Sequence, residues 1–422
     1  MDQVYHSVTL DEERCKGCTN CIKRCPTQAI RVREGKARII SQRCTDCGEC
    51  IRFCPHRAKL AISDPLDKVK EFEYTIALPA PALYGQFNNL SDIDYVLTGL
   101  LDMGFDEVFE VSKCAEIISD ATRQLMKAGK LITPVISSAC PAIARLITVR
   151  FPDLVDHVLP LMSPMHTAAR QAKEEAHGRI GIPSSRIGVF FISPCPAKVT
   201  DSKKPIGVGK SYIDGVLSIS DIYPRLVEKM NKIKSPMPVA QSGIIGVSWA
   251  NSGGEASALI RERYLAADGM ENVMAVLEQL EDERLTELDF IELNACPGGC
   301  VGGVLTVENP FVAKARIQKL RKYLPVSLNH VEDERELGSY SWESPLEYAG
   351  VLKLSDDIGE AMRMMAQIDE LTRGFPDLDC GSCGAPSCRA LSEDIVMGEA
   401  KRSDCIFVLR EQAGAAGVMV GE

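Results

Sequence analysis

Three short apolar runs punctuate the middle of the chain, and each leads into a cysteine–proline pair: TPVISSACPAIARLI at 133–147, RIGVFFISPCPAKVT at 186–200 and DFIELNACPGGCVGG at 289–303. Their length and composition fit strands. Around them lie helix-like segments, DATRQLMKAGK at 120–130 and SPMHTAARQAKEEAHG at 163–178. Strand and helix in alternation predict an α/β domain with largely parallel sheets. Nearer the start, IRVREGKARII at 30–40 alternates as a small hairpin does. Toward the end, SDDIGEAMRMMAQIDELTRGF at 355–375 has the pattern of a helix, and the charged, loop-like LNHVEDERELGSYSWESP at 328–345 precedes it. The expected organisation is an α+β domain over 1–70, the α/β domain over 71–327, a linker over 328–354 and a small, mostly α domain over 355–422.

Composition narrows the function. A chain of 422 residues, 45% hydrophobic and 25% charged, has the makeup of a globular protein with two or three domains. Its formal charge of −10 weighs against nucleic acid as a partner and suits docking to basic electron-transfer proteins. The opening MDQVYHSVTLDEER is polar and acidic, unlike a signal peptide. No apolar run approaches the roughly 18 residues of a membrane span. The expected location is the cytoplasm, with no membrane partner. There, 17 cysteines point to metal binding rather than disulfides.

Their spacing sharpens this. CKGCTNCIKRCP at 15–26 and CTDCGECIRFCP at 44–55 repeat the pattern C-x2-C-x2-C-x3-C-P, that of bacterial ferredoxins. In this pattern three close thiolates hold one cubane and the fourth crosses to the other. Cys15, Cys18, Cys21 and Cys54 are therefore assigned to one 4Fe–4S cluster, and Cys44, Cys47, Cys50 and Cys25 to a second. A third group, Cys380, Cys383, Cys388 and Cys405, spaced C-x2-C-x4-C-x16-C, resembles the four-cysteine iron–sulfur domain of anaerobic redox proteins. Four thiolates and no histidine suit another 4Fe–4S cluster, with a structural zinc as the alternative.

The Cys-Pro pairs fall where ligands bind in parallel sheets, beyond the carboxyl ends of the strands. Proline after cysteine suits the first turn of a helix, whose positive end then faces an anionic site. Cys140, Cys195, Cys296 and Cys300 can thus converge from three loops, and the glycines of NACPGGCVGG let backbone approach something bulky.

These motifs, in this order behind a two-cluster ferredoxin-like module, resemble those of the iron–iron (FeFe) hydrogenases from residue 1 to about 325. The resemblance implies reversible dihydrogen oxidation and proton reduction at a six-iron cluster: a 4Fe–4S cubane joined to a diiron unit carrying carbon monoxide, cyanide and a bridging dithiolate amine. It implies that Cys140, Cys195, Cys296 and Cys300 hold the cubane, Cys300 also bridging to the diiron unit. Lys198 matches the family lysine that hydrogen-bonds a cyanide. Pro79–Ala82 and WANSGG at 249–254 resemble pocket segments, with Trp249 as a wall. The implied partners are dihydrogen, protons, a redox protein such as ferredoxin or a signalling protein, and diiron-site maturation enzymes; the implied setting is anaerobic.

The chain departs from that pattern at the chemistry. Ala139 precedes Cys140 where fast members carry a second cysteine, the proton donor. Ser193 and Asn294 stand where methionine is usual, and Met165 where a polar residue is common. Asp120 replaces one glutamate of the carboxylate relay and Arg123 falls near another. A positioned acid contributes roughly 10²–10⁴-fold, about 3–5 kcal/mol. The resemblance therefore runs to the slow, sensory branch of the family, with accessory clusters flanking the active-site domain and two electron exits. Cys114 reads as a buried small hydrophobe, with a substitute proton donor as the alternative. IGVGKS at 206–211 lacks the first glycine of a phosphate loop, and six scattered histidines form no ligand motif. Two other classes remain: a non-catalytic iron–sulfur assembly protein, and an electron-transfer subunit without the diiron unit.

Overall fold

The computed structural model describes residues 5–415. In the N-terminal module, β1 (Val8–Leu10) pairs antiparallel with β4 (Lys59–Ala61), while β2 (Ile30–Arg33) and β3 (Lys36–Ile39) form the hairpin. Its turn, Glu34–Gly35, has φ of 53° and 71°, the backbone that follows the natural twist of a two-residue hairpin. Between these strands lie two short helices, Asn20–Lys23 and Glu49–Arg52, one in each cysteine repeat.

Residues of the central domain build two sheets, both wholly parallel. The larger has the order β6 (Glu107–Val108), β5 (Tyr74–Pro79), β8 (Ile187–Ser193), β9 (Gly215–Ser218). The smaller runs β10 (Tyr264–Asp268), β11 (Phe290–Asn294), β7 (Val135–Ile136). Every residue of β8 is buried, which explains its unbroken apolar run. The first apolar run yields only the two residues of β7. Pro134 has no N–H to lengthen that strand upstream, and downstream Ser138 turns its hydroxyl to the Leu161 carbonyl.

The helix expected from 120 begins earlier and spans Val111–Lys127, because Val111, Cys114, Ala115, Ile118 and Ala121 bury one face at helical spacing. The helix expected over 163–178 spans Pro164–Ile180, capped by the Ser163 hydroxyl and closed by Gly181 at φ 77°. Cys140 and Cys195 cap the helices Pro141–Arg150 and Pro196–Lys203, each with proline in the first turn. The third Cys-Pro pair opens no helix. Gly298 and Gly299, at φ 79° and 91°, turn the chain into a single tight turn at Cys300–Gly302. A Cβ on Gly299 would lie 2.4 Å from the Ser252 nitrogen, so only glycine fits.

Two features of the organisation differ from expectation. Segment 328–354 is a strap laid along the central domain: Leu328 and Asn329 donate backbone N–H to Glu116 Oε2 (2.9 and 3.0 Å), Val331 N–H bonds Asp120 (3.1 Å), and Ala349 N–H bonds the Thr148 carbonyl (2.9 Å). Fully buried Glu116 needs those donors, and the charged, loop-like sequence of the strap supplies them as backbone. The C-terminal module, with helices Ile358–Arg373 and Cys388–Val396, docks on the N-terminal module. Val32 N–H bonds the Gly384 carbonyl at 2.8 Å, and Asp394 receives Arg31 Nε at 2.7 Å and Arg33 at 2.5 Å. The expectation of clusters on both flanks of the central domain is therefore corrected: both cysteine-rich modules lie on one side, in file.

Candidate active site

The crevice lies where the carboxyl ends of the two sheets meet. Cys140 follows β7, Cys195 follows β8, and Cys296 and Cys300 follow β11. The four thiols are close enough to perturb one another's ionisation. Burial pushes the Cys195 thiol up to about 12, with Lys198 opposing it, and raises Cys296 and Cys300 as well. Four converging thiols, Cys296 buried and the other three partly so, without histidine or carboxylate among them fit an iron–sulfur centre, whose irons stabilise the thiolates that burial alone disfavours.

Beside them opens a cavity. Its wall includes Ala139, Lys198, Trp249, Asn294 and Cys300, together with Ala80 and Pro81 beyond β5 and Met165 on the helix after Ser163. Lys198 Nζ donates to the Ala139 carbonyl at 3.0 Å. Burial works to neutralise that amine, but Cys300, Cys195, Cys140 and Asp201 outweigh it and hold its pKa above the ordinary lysine value. Trp249 is fixed by its indole N–H, which donates to Ser119 Oγ at 3.0 Å.

Three residues singled out in the sequence lie elsewhere. Ser193 is behind the wall, its hydroxyl donating to the Cys195 carbonyl at 2.9 Å, so it shapes the cysteine loop. Asp120 is committed to Arg123 (2.9 Å), Gln124 (3.0 Å) and the strap. Burial opposes its ionisation, but the Arg123 guanidinium and the Val331 N–H hold its carboxyl below the usual range. Cys114 is fully buried in the core, its thiol donating to Gln171 Oε1 at 3.3 Å.

The wall also carries two carboxyls that the sequence reading missed, Glu255 and Glu292. Both are about 4% exposed. Glu292 Oε1 accepts from Gly253 N–H (3.0 Å) and Asn294 Nδ2 (2.7 Å), and Oε2 from Ala256 N–H (2.8 Å). Glu255 accepts only the Ser137 hydroxyl, at 2.5 Å; its other oxygen has no partner among the described residues. Burial first and the Glu292 charge second push Glu255 up to about 8, so it holds a proton at neutral pH. Ser137 Oγ in turn accepts the Ala139 N–H at 3.2 Å, so this acid stands one hydroxyl away from the position where the familiar donor cysteine is missing. A glutamate inside the apolar run FIELN was the available signal, because a strand buried on both faces seldom carries a charge without a task.

Further out, Cys15, Cys18, Cys21 and Cys54 line one cavity, and Cys25, Cys44, Cys47 and Cys50 another. The second adjoins the crevice. Cys47 packs on the core that includes Cys140 and Cys195, and Arg52 donates to the Gly302 carbonyl at 2.8 Å. The first adjoins the C-terminal module, where a Cβ on Gly381 would meet Ile22 Cδ1 at 3.3 Å, next to Cys21. Cys380, Cys383 and Cys405 lie within mutual electrostatic reach, and Cys388 packs on the same small core. His6, Cys44 and Asp46 also gather beside the second cavity, with Asp46 tied to Thr200 Oγ1 at 2.7 Å. No helix among the described residues is long and apolar enough to cross a membrane.

Comparison with known proteins agrees with this geometry. A 4Fe–4S dicluster domain profile matches residues 7–55, and an Fe–S cluster profile matches 375–407. The chain is 25% identical over 352 residues to an NADP-reducing hydrogenase subunit of Solidesulfovibrio fructosivorans, covering 70% of this chain and 56% of that protein, so it spans little more than half of that relative. It is 24% identical to the periplasmic Fe hydrogenase large subunit of Nitratidesulfovibrio vulgaris, over 71% of this chain and 86% of that one. A solved FeFe-hydrogenase from Chlamydomonas reinhardtii aligns at 18% identity over 68% of this chain and 94% of that chain, with a TM-score of 0.47. The profile of the iron only hydrogenase large subunit, C-terminal domain, matches residues 73–267 and 255–304, over half of the chain and the whole of the cysteine crevice. The chain belongs to the iron-only hydrogenase family.

Proposed function

We propose that this chain oxidises dihydrogen and reduces protons slowly, at a six-iron cluster in the crevice, and serves dihydrogen sensing. The observation that carries the reading is a cavity wall that joins Cys300, one of four converging thiols, and Lys198 with an alanine at 139 and a buried acid at 255. Cys140, Cys195, Cys296 and Cys300 would hold the cubane, and Cys300, the one of the four in the cavity wall, would meet the diiron unit. When bound, the cluster supplies the metal coordination and the redox chemistry that split or join the hydrogen atoms.

The chain's own residues supply the rest. Lys198, in the cavity wall with its pKa held up, would offer a compact ammonium to anionic ligands of the bound cluster. Met165, Trp249 and Pro81 exclude water. Glu255 keeps a proton in the cavity wall near position 139, held in place by the Ser137 hydroxyl, while Glu292 is fixed by three donors. A buried carboxylic acid whose pKa is pushed up gives its proton less readily than an ordinary acid, which supports low turnover. Electrons would leave in single file through the centre at Cys25, Cys44, Cys47 and Cys50, then that at Cys15, Cys18, Cys21 and Cys54, then that at Cys380, Cys383, Cys388 and Cys405, to a cytoplasmic redox or signalling protein. Maturation enzymes would deliver the diiron unit.

Infrared spectroscopy of the anaerobically matured protein tests the reading. Carbonyl and cyanide bands that shift under dihydrogen, with slow turnover, are expected. Full cubane occupancy without such bands, beside a control hydrogenase that matures, would make the chain an electron-transfer or assembly protein instead.

A further inference from the structure

Lys59, on β4, is anomalous. Its residue is 2% exposed, and its Nζ has no hydrogen-bond partner and no ion pair among the described residues. Buried lysines without a counter-ion are rare because taking the ammonium out of water costs several kcal/mol. The side chain lines the cavity of Cys15, Cys18, Cys21 and Cys54. It also reaches the neighbouring site: after burial itself, Lys59 is the strongest influence on both the Cys21 and the Cys50 thiols, one from each ligand set. The amine therefore stands between two groups of four thiols, and among the described residues it forms no ion pair with a carboxylate.

The anions this position would serve are the two centres themselves. A cubane bound by four thiolates is anionic, and each one-electron reduction adds a further negative charge without a proton. A fixed cation in a low-dielectric site stabilises the reduced form more than the oxidised one. We propose that Lys59 is the shared counter-ion of the two N-terminal iron–sulfur centres, raising both reduction potentials and making this module the electron sink of the chain. Electrons released in the crevice then move outward and rest there, which suits a protein that reports dihydrogen rather than makes it. The inference rests on the reading that these eight cysteines hold iron–sulfur centres, and not on hydrogen chemistry in the crevice.

The test is a potentiometric titration, followed by electron paramagnetic resonance, of the full chain loaded with its iron–sulfur centres and lacking the diiron unit. Lys59→Met keeps the reach and removes the charge; Lys59→Arg keeps the charge. Lys59→Met is expected to shift the reduction equilibrium of the N-terminal centres at least tenfold toward the oxidised form, about 59 mV for a one-electron couple, while the C-terminal centre and Lys59→Arg stay near the parent. A shift below threefold, a parallel shift of the C-terminal centre, or an equal shift in Lys59→Arg overturns the proposal. If Lys59→Met and Lys59→Gln lose iron, retention by Lys59→Arg supports the counter-ion role, and loss there as well reduces Lys59 to packing. Missing carbonyl bands in the matured protein would sink the hydrogenase reading and leave this titration readable.

Discussion

The N-terminal cavities and the crevice are both built from four thiols, yet they are assembled in opposite ways. Each N-terminal site takes three cysteines from within seven residues and a fourth from the other repeat, so its geometry is written into local spacing. The crevice takes Cys140, Cys195, Cys296 and Cys300 from three loops that only two parallel sheets bring together. At the local sites Lys59 is the buried cation without a partner among the described residues, and Asp46 is tied to Thr200 and to the Ser7 and Val8 N–H groups, whereas the crevice wall carries Lys198, Glu255, Glu292 and Asn294. A site that only stores electrons needs thiols and a fixed charge. A site that also moves protons needs titratable groups, and those come from whichever strand ends the fold places nearby.

The largest effect should come from the crevice ligands. Cys300→Ser is expected to abolish dihydrogen turnover and its infrared bands while leaving the N-terminal paramagnetic signals intact, because the two kinds of site share no ligand. Loss of both sets of signals would mean that the sites assemble as one unit, and the contrast would fail.

Next is the proton-carrying acid. Glu255→Gln keeps the shape and the Ser137 contact but holds no transferable proton, so turnover should fall by roughly 10²–10⁴-fold with the infrared bands unchanged. The pH dependence has a definite sign. Glu255 is pushed up to about 8 from an ordinary 4.5, so proton reduction should decline as pH rises through about 8, and the variant should lose that limb. Between those two values the unfolded chain has released a proton that the folded chain keeps. Stability therefore falls as pH rises across that window, and Glu255→Gln should flatten the fall in thermal melts. A variant with parental turnover and an unchanged pH profile would remove Glu255 from the route.

A smaller effect is expected where the two cysteine-rich modules meet. Asp394 is about 5% exposed on its side chain and takes both Arg31 and Arg33. Asp394→Ala leaves two guanidinium groups beside a buried interface, a loss of about 3–5 kcal/mol for a broken buried pair. Limited proteolysis should then release the C-terminal module, and electron transfer from the crevice to its centre should slow while the N-terminal centres still reduce. Continued protection from protease would show that the Val32–Gly384 backbone contact suffices.

How much of this was legible follows the same divide. The hairpin at 30–40 and the grouping of the eight N-terminal and four C-terminal cysteines were readable because each depends on neighbours in sequence. The strand ends that carry Cys140, Cys195 and Cys296 were readable from apolar runs, but the two-residue length of β7 was not, since Pro134 and the seryl turn after it override the pattern. Glu255 lies in GGEASA, a segment with no apolar periodicity, so its place in the wall depends on β11 and the glycine turn at 298–299. The strap at 328–354 was hidden for a related reason. Its bonds to Glu116 and Asp120 come mostly from backbone N–H groups, which side-chain pattern does not report.

The finest test concerns Trp249, a wall residue placed by tertiary contact alone. Trp249→Phe removes one indole N–H bond to Ser119 and part of a ring. Ser119 keeps its own bond to the Ala115 carbonyl at 2.8 Å, so no buried hydroxyl is left without a partner. The expected cost is therefore that of one ordinary hydrogen bond, roughly 0.5–1.5 kcal/mol, with turnover changed less than tenfold and a lowered melting temperature. A hundredfold loss of turnover at parental stability would give the ring a part in the chemistry rather than in excluding water. The crevice would then depend on its apolar wall as much as on its titratable groups, and the contrast with the N-terminal cavities would have to be redrawn around shape instead of protons.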